Sequence, residues 1–133
     1  MNILDIEAPL IAAVNGPARL HSEFVLLADI ILATPSTVFQ DKPHFASGIV
    51  PGDGVHLLWQ EAIGPIRGRY FILTRQELDA QTAKEWGAVN EIVAGDKLLP
   101  RAREIAEELN CSRSLVHKTL ANSKDSRVAT TAD

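Results

Sequence analysis

Cysteine is almost absent from this chain. With Cys111 as the single thiol among 133 residues, no intrachain disulfide can form, and the composition fits a reducing, cytoplasmic setting. Aromatic residues are sparse at 5%; Trp59 and Trp86 each sit at helical spacing with aliphatic partners and are expected to be core residues rather than a platform for stacking a ligand. The longest apolar stretch, near Phe24 to Ala33, is broken by Asp29 and is too short for a transmembrane helix. Excess positive charge is missing too. Seventeen acidic residues against thirteen basic ones leave a net charge of −4, which argues against a nucleic-acid or anionic-membrane partner. The opening MNILDIEAP has no basic segment and carries Asp5 and Glu7, unlike a secretory leader. No His/Cys/Asp set has zinc-site spacing, and no glycine loop has the pattern that cradles phosphate. Neither a metal nor a cofactor is expected.

What is present is an α/β alternation at a length suited to one domain. Leu10–Val14 reads as a buried strand ending in Asn15-Gly16-Pro17. A helix is expected over His21–Ala28, with Ser22 and Glu23 in its first turn. Ile30–Ala33 reads as a second strand, and Val38-Phe39 as a short third. Gly54–Ala62 has Val55, Leu58, Trp59 and Ala62 on one helical face. Gly64-Pro65 starts a helix over Ile66–Leu73. Asp79 reads as the N-cap of Ala80–Trp86, which Gly87 closes. Val89–Val93 reads as a strand. Leu98–Leu109 forms an amphipathic helix with Leu99, Ala102, Ile105, Ala106 and Leu109 along one side. This order predicts a mostly parallel sheet with crossover helices. Residues 1–110 read as the folded part and 111–133 as a divergent helix and polar tail, with SKDSRVATTAD frayed.

The richest stretch is FQDKPHFASGIVPGDG, Phe39 to Gly54. It places His44 and Asp53 on either side of a turn that Pro51 stiffens and Gly52 and Gly54 permit. A histidine opposed to a carboxylate is a common general base near neutral pH. His56 and His117 read as surface residues, and Asp29 as a structural residue at a strand entrance.

VNGPA (Val14–Ala18), ADIILA (Ala28–Ala33), SGIVPGDG (Ser47–Gly54) and DAQTAKEWGAVNEIV (Asp79–Val93) follow one another as they do in the crotonase, or enoyl-CoA hydratase/isomerase, superfamily, which the chain resembles from about Ala8 to about Leu109. The resemblance implies a spiral of ββα turns, packed as trimers, of which this chain holds an incomplete copy lacking the N-terminal half of the family fold. It implies an oxyanion-binding backbone N–H near Leu20 or His21. It aligns Glu23 with the first catalytic glutamate of the hydratases and puts His44 where their second glutamate stands. FQD…PHF…SGIVPGDG and RGRYFILT (Arg67–Thr74) are similar to the 6-oxocamphor hydrolase-like β-diketone hydrolases, which cleave a carbon–carbon bond between two ketones by a retro-Claisen reaction. That subgroup implies His44 as the base activating water, Asp53 as its orienting partner, His21 as donor to a substrate carbonyl, a small diketone as substrate and no cofactor. The alternatives are an enoyl-CoA hydratase/isomerase acting on a coenzyme A thioester, for which Glu23 speaks, and a truncated, inactive remnant.

Overall fold

The computed structural model describes residues 3, 6 and 8–110. The expectations for Cys111, His117 and the 111–133 segment lie outside those residues. Two sheets organise the rest. The first contains β1 (Ile11–Val14), β2 (Ile30–Ala33) and β5 (Glu91–Ile92) in the order β1-β2-β5, all parallel, with Ile11 opposite Ile30 and Leu32 opposite Glu91. The central strand IILA has its last three residues fully buried, as a strand covered on both faces requires. The second sheet is an antiparallel pair, β3 (Val38–Phe39) with β4 (Leu78–Asp79). Asp29 sits at the strand entrance as expected: its Oδ2 accepts from Leu10 N–H at 2.9 Å, while its own N–H donates to Leu10 C=O.

Among the described residues six helices pack around the sheets: α1 (Glu23–Leu26), α2 (Pro43–Ala46), α3 (Val55–Ile63), α4 (Pro65–Thr74), α5 (Ala80–Glu85) and α6 (Gly95–Asn110). The main core joins Trp59, Phe39, Phe71, Leu78, Val55 and Ala33. Trp59 is fully buried and contacts Phe39 edge-on at 5.5 Å and Phe71 at 4.5 Å between ring centroids. Trp86 is half-buried beneath the Arg67 guanidinium. α3 and α4 cross where Gly68 meets Gln60. A Cβ on Gly68 would lie 2.7 Å from the Gln60 Cα, so only glycine lets the two backbones approach.

Several boundaries move from their expected places, each for a local reason. The helix expected over His21–Ala28 shrinks to Glu23–Leu26 because His21 takes φ 51°, a left-handed conformation that no helix continues. Ser22 does not cap it with its side chain: its Oγ accepts from Trp59 Nε1–H at 3.0 Å. α6 begins at Gly95, three residues before the expected Leu98, and runs through Pro100. Its buried stripe is Leu98, Ala102, Ile105 and Leu109, packed on Leu32. Leu99 and Ala106 point outward, against the expected face. Val89–Val93 keeps ladder pairing only over Glu91–Ile92. Asp79 caps α5 as expected, accepting from Thr82 N–H at 2.7 Å.

Arg75 ends α4 at φ 56°. A side chain in this conformation costs about 1–2 kcal/mol that glycine avoids. Part of the gain is offset by glycine's greater freedom in the unfolded chain. Arg75→Gly is therefore expected to stabilise the fold by about 0.5–1 kcal/mol. A denaturant midpoint that falls would show that the Arg75 side chain contributes more than its backbone strain costs.

Candidate functional site

A short backbone zipper builds the site. Ala18 N–H donates to Val38 C=O at 2.7 Å, Gln40 N–H to Ala18 C=O at 3.1 Å, and Lys42 N–H to Arg19 C=O at 3.2 Å. These bonds run the Ala18–Arg19 segment alongside 38–42, so the His21 turn before α1 lies next to the entry of α2. Pro43 starts α2 and puts His44 in its first turn. The return toward α3 uses Gly48 at φ 66° and Gly54 at φ 91°. Of the two glycines expected to permit the turn, Gly54 takes a positive φ and Gly52 does not.

The expected residues converge. Asp53 Oδ2 lies 3.3 Å from His44 Nε2 and 3.6 Å from His21 Nδ1. Its other oxygen, Oδ1, accepts from Val55 N–H at 3.2 Å at the start of α3. Glu23 is buried, and its Oε1 lies 2.9 Å from His21 Nδ1. A carboxylate only accepts, so His21 donates through Nδ1–H. Phe24 stacks on the His21 ring at 5.3 Å. The peptide expected to bind an oxyanion, Leu20–His21, leads directly into this turn, with Leu20 exposed. Glu23 is held in place through its neighbour, because the Ser22–Trp59 hydrogen bond ties the head of α1 to the core.

The residue that sequence reasoning passed over is Asp41. It is 2% exposed, and its Oδ1 lies 2.7 Å from His44 Nδ1, a shorter contact than Asp53 makes with the same ring. The signal was present: an acid three residues before a histidine, with a proline opening the helix between them, in Asp41-Lys42-Pro43-His44.

The hydrogen bond to Asp41 raises the His44 pKa above its ordinary value. Partial burial opposes this, and the charges of Asp41, Asp53 and Glu23 add to it. The folded state therefore binds this proton more tightly than the unfolded chain. The stabilisation is fully present below the ordinary histidine value, about 6.5, and is lost as pH rises through the higher folded value.

Donor atoms of His21, Glu23 and Asp53 all lie within 4.8 Å of one another. The contacts among them are those of an imidazole between two carboxylates. Of two concavities among the described residues, one is lined by Leu26, Leu58, Ala62 and Asn90, away from the histidines, and the other by Val14, Gly16, Phe24 and Val25, bordering the site at Phe24, whose ring stacks on His21. The histidine cluster sits on an open face, with His21 57% exposed and His44 14% exposed. His56 is half-buried on α3. Among the described residues no helix is long and apolar enough to cross a membrane.

Comparison with known proteins shows what this chain is similar to. The enoyl-CoA hydratase/isomerase family profile matches residues 1–132. A β-diketone hydrolase from the cyanobacterium Anabaena sp. PCC 7120, solved bound to (S)-3-oxocyclohexyl acetic acid, is 52% identical with a TM-score of 0.76, the match covering 98% of this chain and 50% of that one. An enoyl-CoA hydratase from Mycobacterium tuberculosis H37Rv is 30% identical with a TM-score of 0.81, covering 94% of this chain and 59% of that one. Among curated relatives, a carnitinyl-CoA dehydratase from Citrobacter koseri is 36% identical over 108 residues, 80% of this chain and 41% of that protein. The chain thus spans about half the length or less of these relatives, apart from the hydratase at 59%.

Proposed function

Given that this chain belongs to the enoyl-CoA hydratase/isomerase family, whose members act as hydratases and hydrolases, we propose that its site serves hydrolysis of a carbon–carbon bond in a small cyclic β-diketone. The observation that carries this reading is His44: a ring lying between two carboxylates, with His21 reached through Asp53, at the position where the resemblance to hydratases calls for an acid. The 52% identity to a β-diketone hydrolase supports it.

His44 takes a proton from water, and the hydroxide adds to one ketone carbon. The resulting alkoxide needs a donor where its charge develops, a role suited to the Leu20–His21 peptide and the His21 ring. Collapse of the tetrahedral adduct breaks the bond to the carbon between the two ketones. One side leaves as a carboxylic acid and the other as an enolate. The proton held by His44 then returns to the enolate carbon, so the net change is addition of one water. Asp53 carries negative charge beside both rings and favours the imidazolium formed along the way. The exposed Leu20, Phe24 and Phe45 stand next to His21, Glu23 and His44 in sequence, with Ile49 and Val50 on the segment between His44 and Asp53, and they suit an apolar ring. No coenzyme enters the reaction.

A second reading, hydration of a coenzyme A thioester, draws on Glu23 and on the carnitinyl-CoA dehydratase relatives. It asks Glu23 to work without the second acid, while His21 occupies its Oε1. The test is ring opening of a cyclic 1,3-diketone, followed as loss of enol absorbance, by this chain and by a longer protein carrying it. Turnover by either is the expected result. Ring opening by neither, with hydration of an enoyl-CoA thioester instead, overturns the hydrolase reading.

A further inference from the structure

The two carboxylates on His44 cannot play the same part. A base must leave one ring nitrogen free of hydrogen to receive water's proton, while the other nitrogen's N–H is held. Asp41 meets Nδ1 at 2.7 Å from a buried position. Asp53 meets Nε2 at 3.3 Å from a carboxylate 25% exposed. Asp41 is also close to the ring along the chain. It lies three residues upstream on the segment that enters α2, and the Lys42 N–H bond to Arg19 pins that segment. Its second oxygen, Oδ2, is buried with no hydrogen-bond partner among the described residues, so the imidazole is the main polar group its charge can lean on.

We infer that Asp41 is the positioning residue of this site: it holds His44 Nδ1–H, fixes the tautomer and makes Nε2 the proton acceptor, which leaves Asp53 on the reacting side of the ring. This assignment rests on His44 acting as the base. It moves the orienting role from Asp53, the acid across the glycine turn, to an acid within α2's own approach. Asp53, near both Nε2 and His21 Nδ1, then acts on the charges that appear during the reaction.

The groups facing His44 are Asp41 from the approach to α2, Asp53 from the turn before α3, and Glu23 with His21 from the head of α1. Nitrogen-15 NMR of the histidine-labelled chain separates their contributions, with His44→Gln identifying the signal. In the unaltered chain above the His44 pKa, the ring is expected as the Nδ1–H tautomer, the minor form of free histidine. Asp41→Asn is expected to move the titration midpoint down toward the free-histidine value and to mix the tautomers. Asp53→Asn is expected to lower the midpoint less and to leave the tautomer intact. A ring found as Nε2–H in the unaltered chain overturns the inference even if Asp41→Asn fails to fold. So does a larger shift for Asp53→Asn than for Asp41→Asn. The measurement needs no substrate. Failure of the diketone assay with these NMR results intact would remove the reaction but keep the positioning role, and the reverse outcome would remove Asp41 but keep the reaction.

Discussion

His44→Ala is expected to lower the rate of diketone ring opening by about 100- to 10,000-fold, the usual contribution of a positioned proton-transfer group. That corresponds to about 3–5 kcal/mol of lost transition-state stabilisation. The loss should fall mainly on kcat, because the proton moves only as hydroxide forms, and substrate binding relies on the apolar side chains and carbonyl donors that remain. Structural change is the competing explanation to exclude: α2 has no buried member, but the His44 side chain is 14% exposed and its removal leaves the buried Asp41 carboxylate without its imidazole partner. A variant that keeps its near-UV circular dichroism and loses turnover bears out the role. One that keeps both would show that water is activated elsewhere, with Glu23 as the next group to test. In the unaltered protein, kcat/KM should rise with pH through a midpoint above the ordinary histidine value, since the neutral ring is the active form and Asp41 favours the charged one.

Trp59→Ala has the largest expected effect on stability. The side chain is 0% exposed and bridges Phe39 of the β3–β4 sheet to Phe71 of α4. Truncating a buried aromatic of this kind costs about 3–5 kcal/mol, a large share of the roughly 5–15 kcal/mol that holds a domain together. The substitution also removes the Nε1–H that Ser22 Oγ accepts and leaves that buried hydroxyl short of a partner. The expected outcome is loss of the cooperative near-UV melt or a large fall in its midpoint. Trp59→Phe, which keeps most of the ring contacts but not the donor, should fall between the two. A midpoint within a degree or two of the unaltered chain for Trp59→Ala would mean that the α1–α3 packing is far looser than the contacts indicate.

The pattern of expectations that held is instructive. His21, His44 and Asp53 come together because their spacing reflects backbone turns, and turns are written in local chemistry such as Pro43, Gly48 and Gly54. Asp41 escaped notice because Phe39-Gln40-Asp41 reads equally well as the exit of a strand. Only the zipper to Ala18 and Arg19, twenty or more residues away, turns that exit toward the site. For α6 the apolar spacing reads from Leu98, with Leu99 on the buried side. The helix starts at Gly95 instead, and Leu98 rather than Leu99 lies over Leu32. Hydrophobic spacing alone leaves two adjacent leucines equivalent until the strand beneath them is known. The short α1 was hidden by the positive φ of His21, a conformation that a histidine does not announce.

Asp53 divides its two oxygens between different tasks, one on the amide that opens α3 and one facing the imidazoles. A single residue thus joins two local arrangements. Any replacement that changes the charge beside the histidines also alters how a core helix begins, and any that frees the helix start changes the chemistry. Asp53 is therefore hard to vary alone, whereas Asp41, which among the described residues bonds the His44 ring through one oxygen and nothing through the other, could change together with that ring.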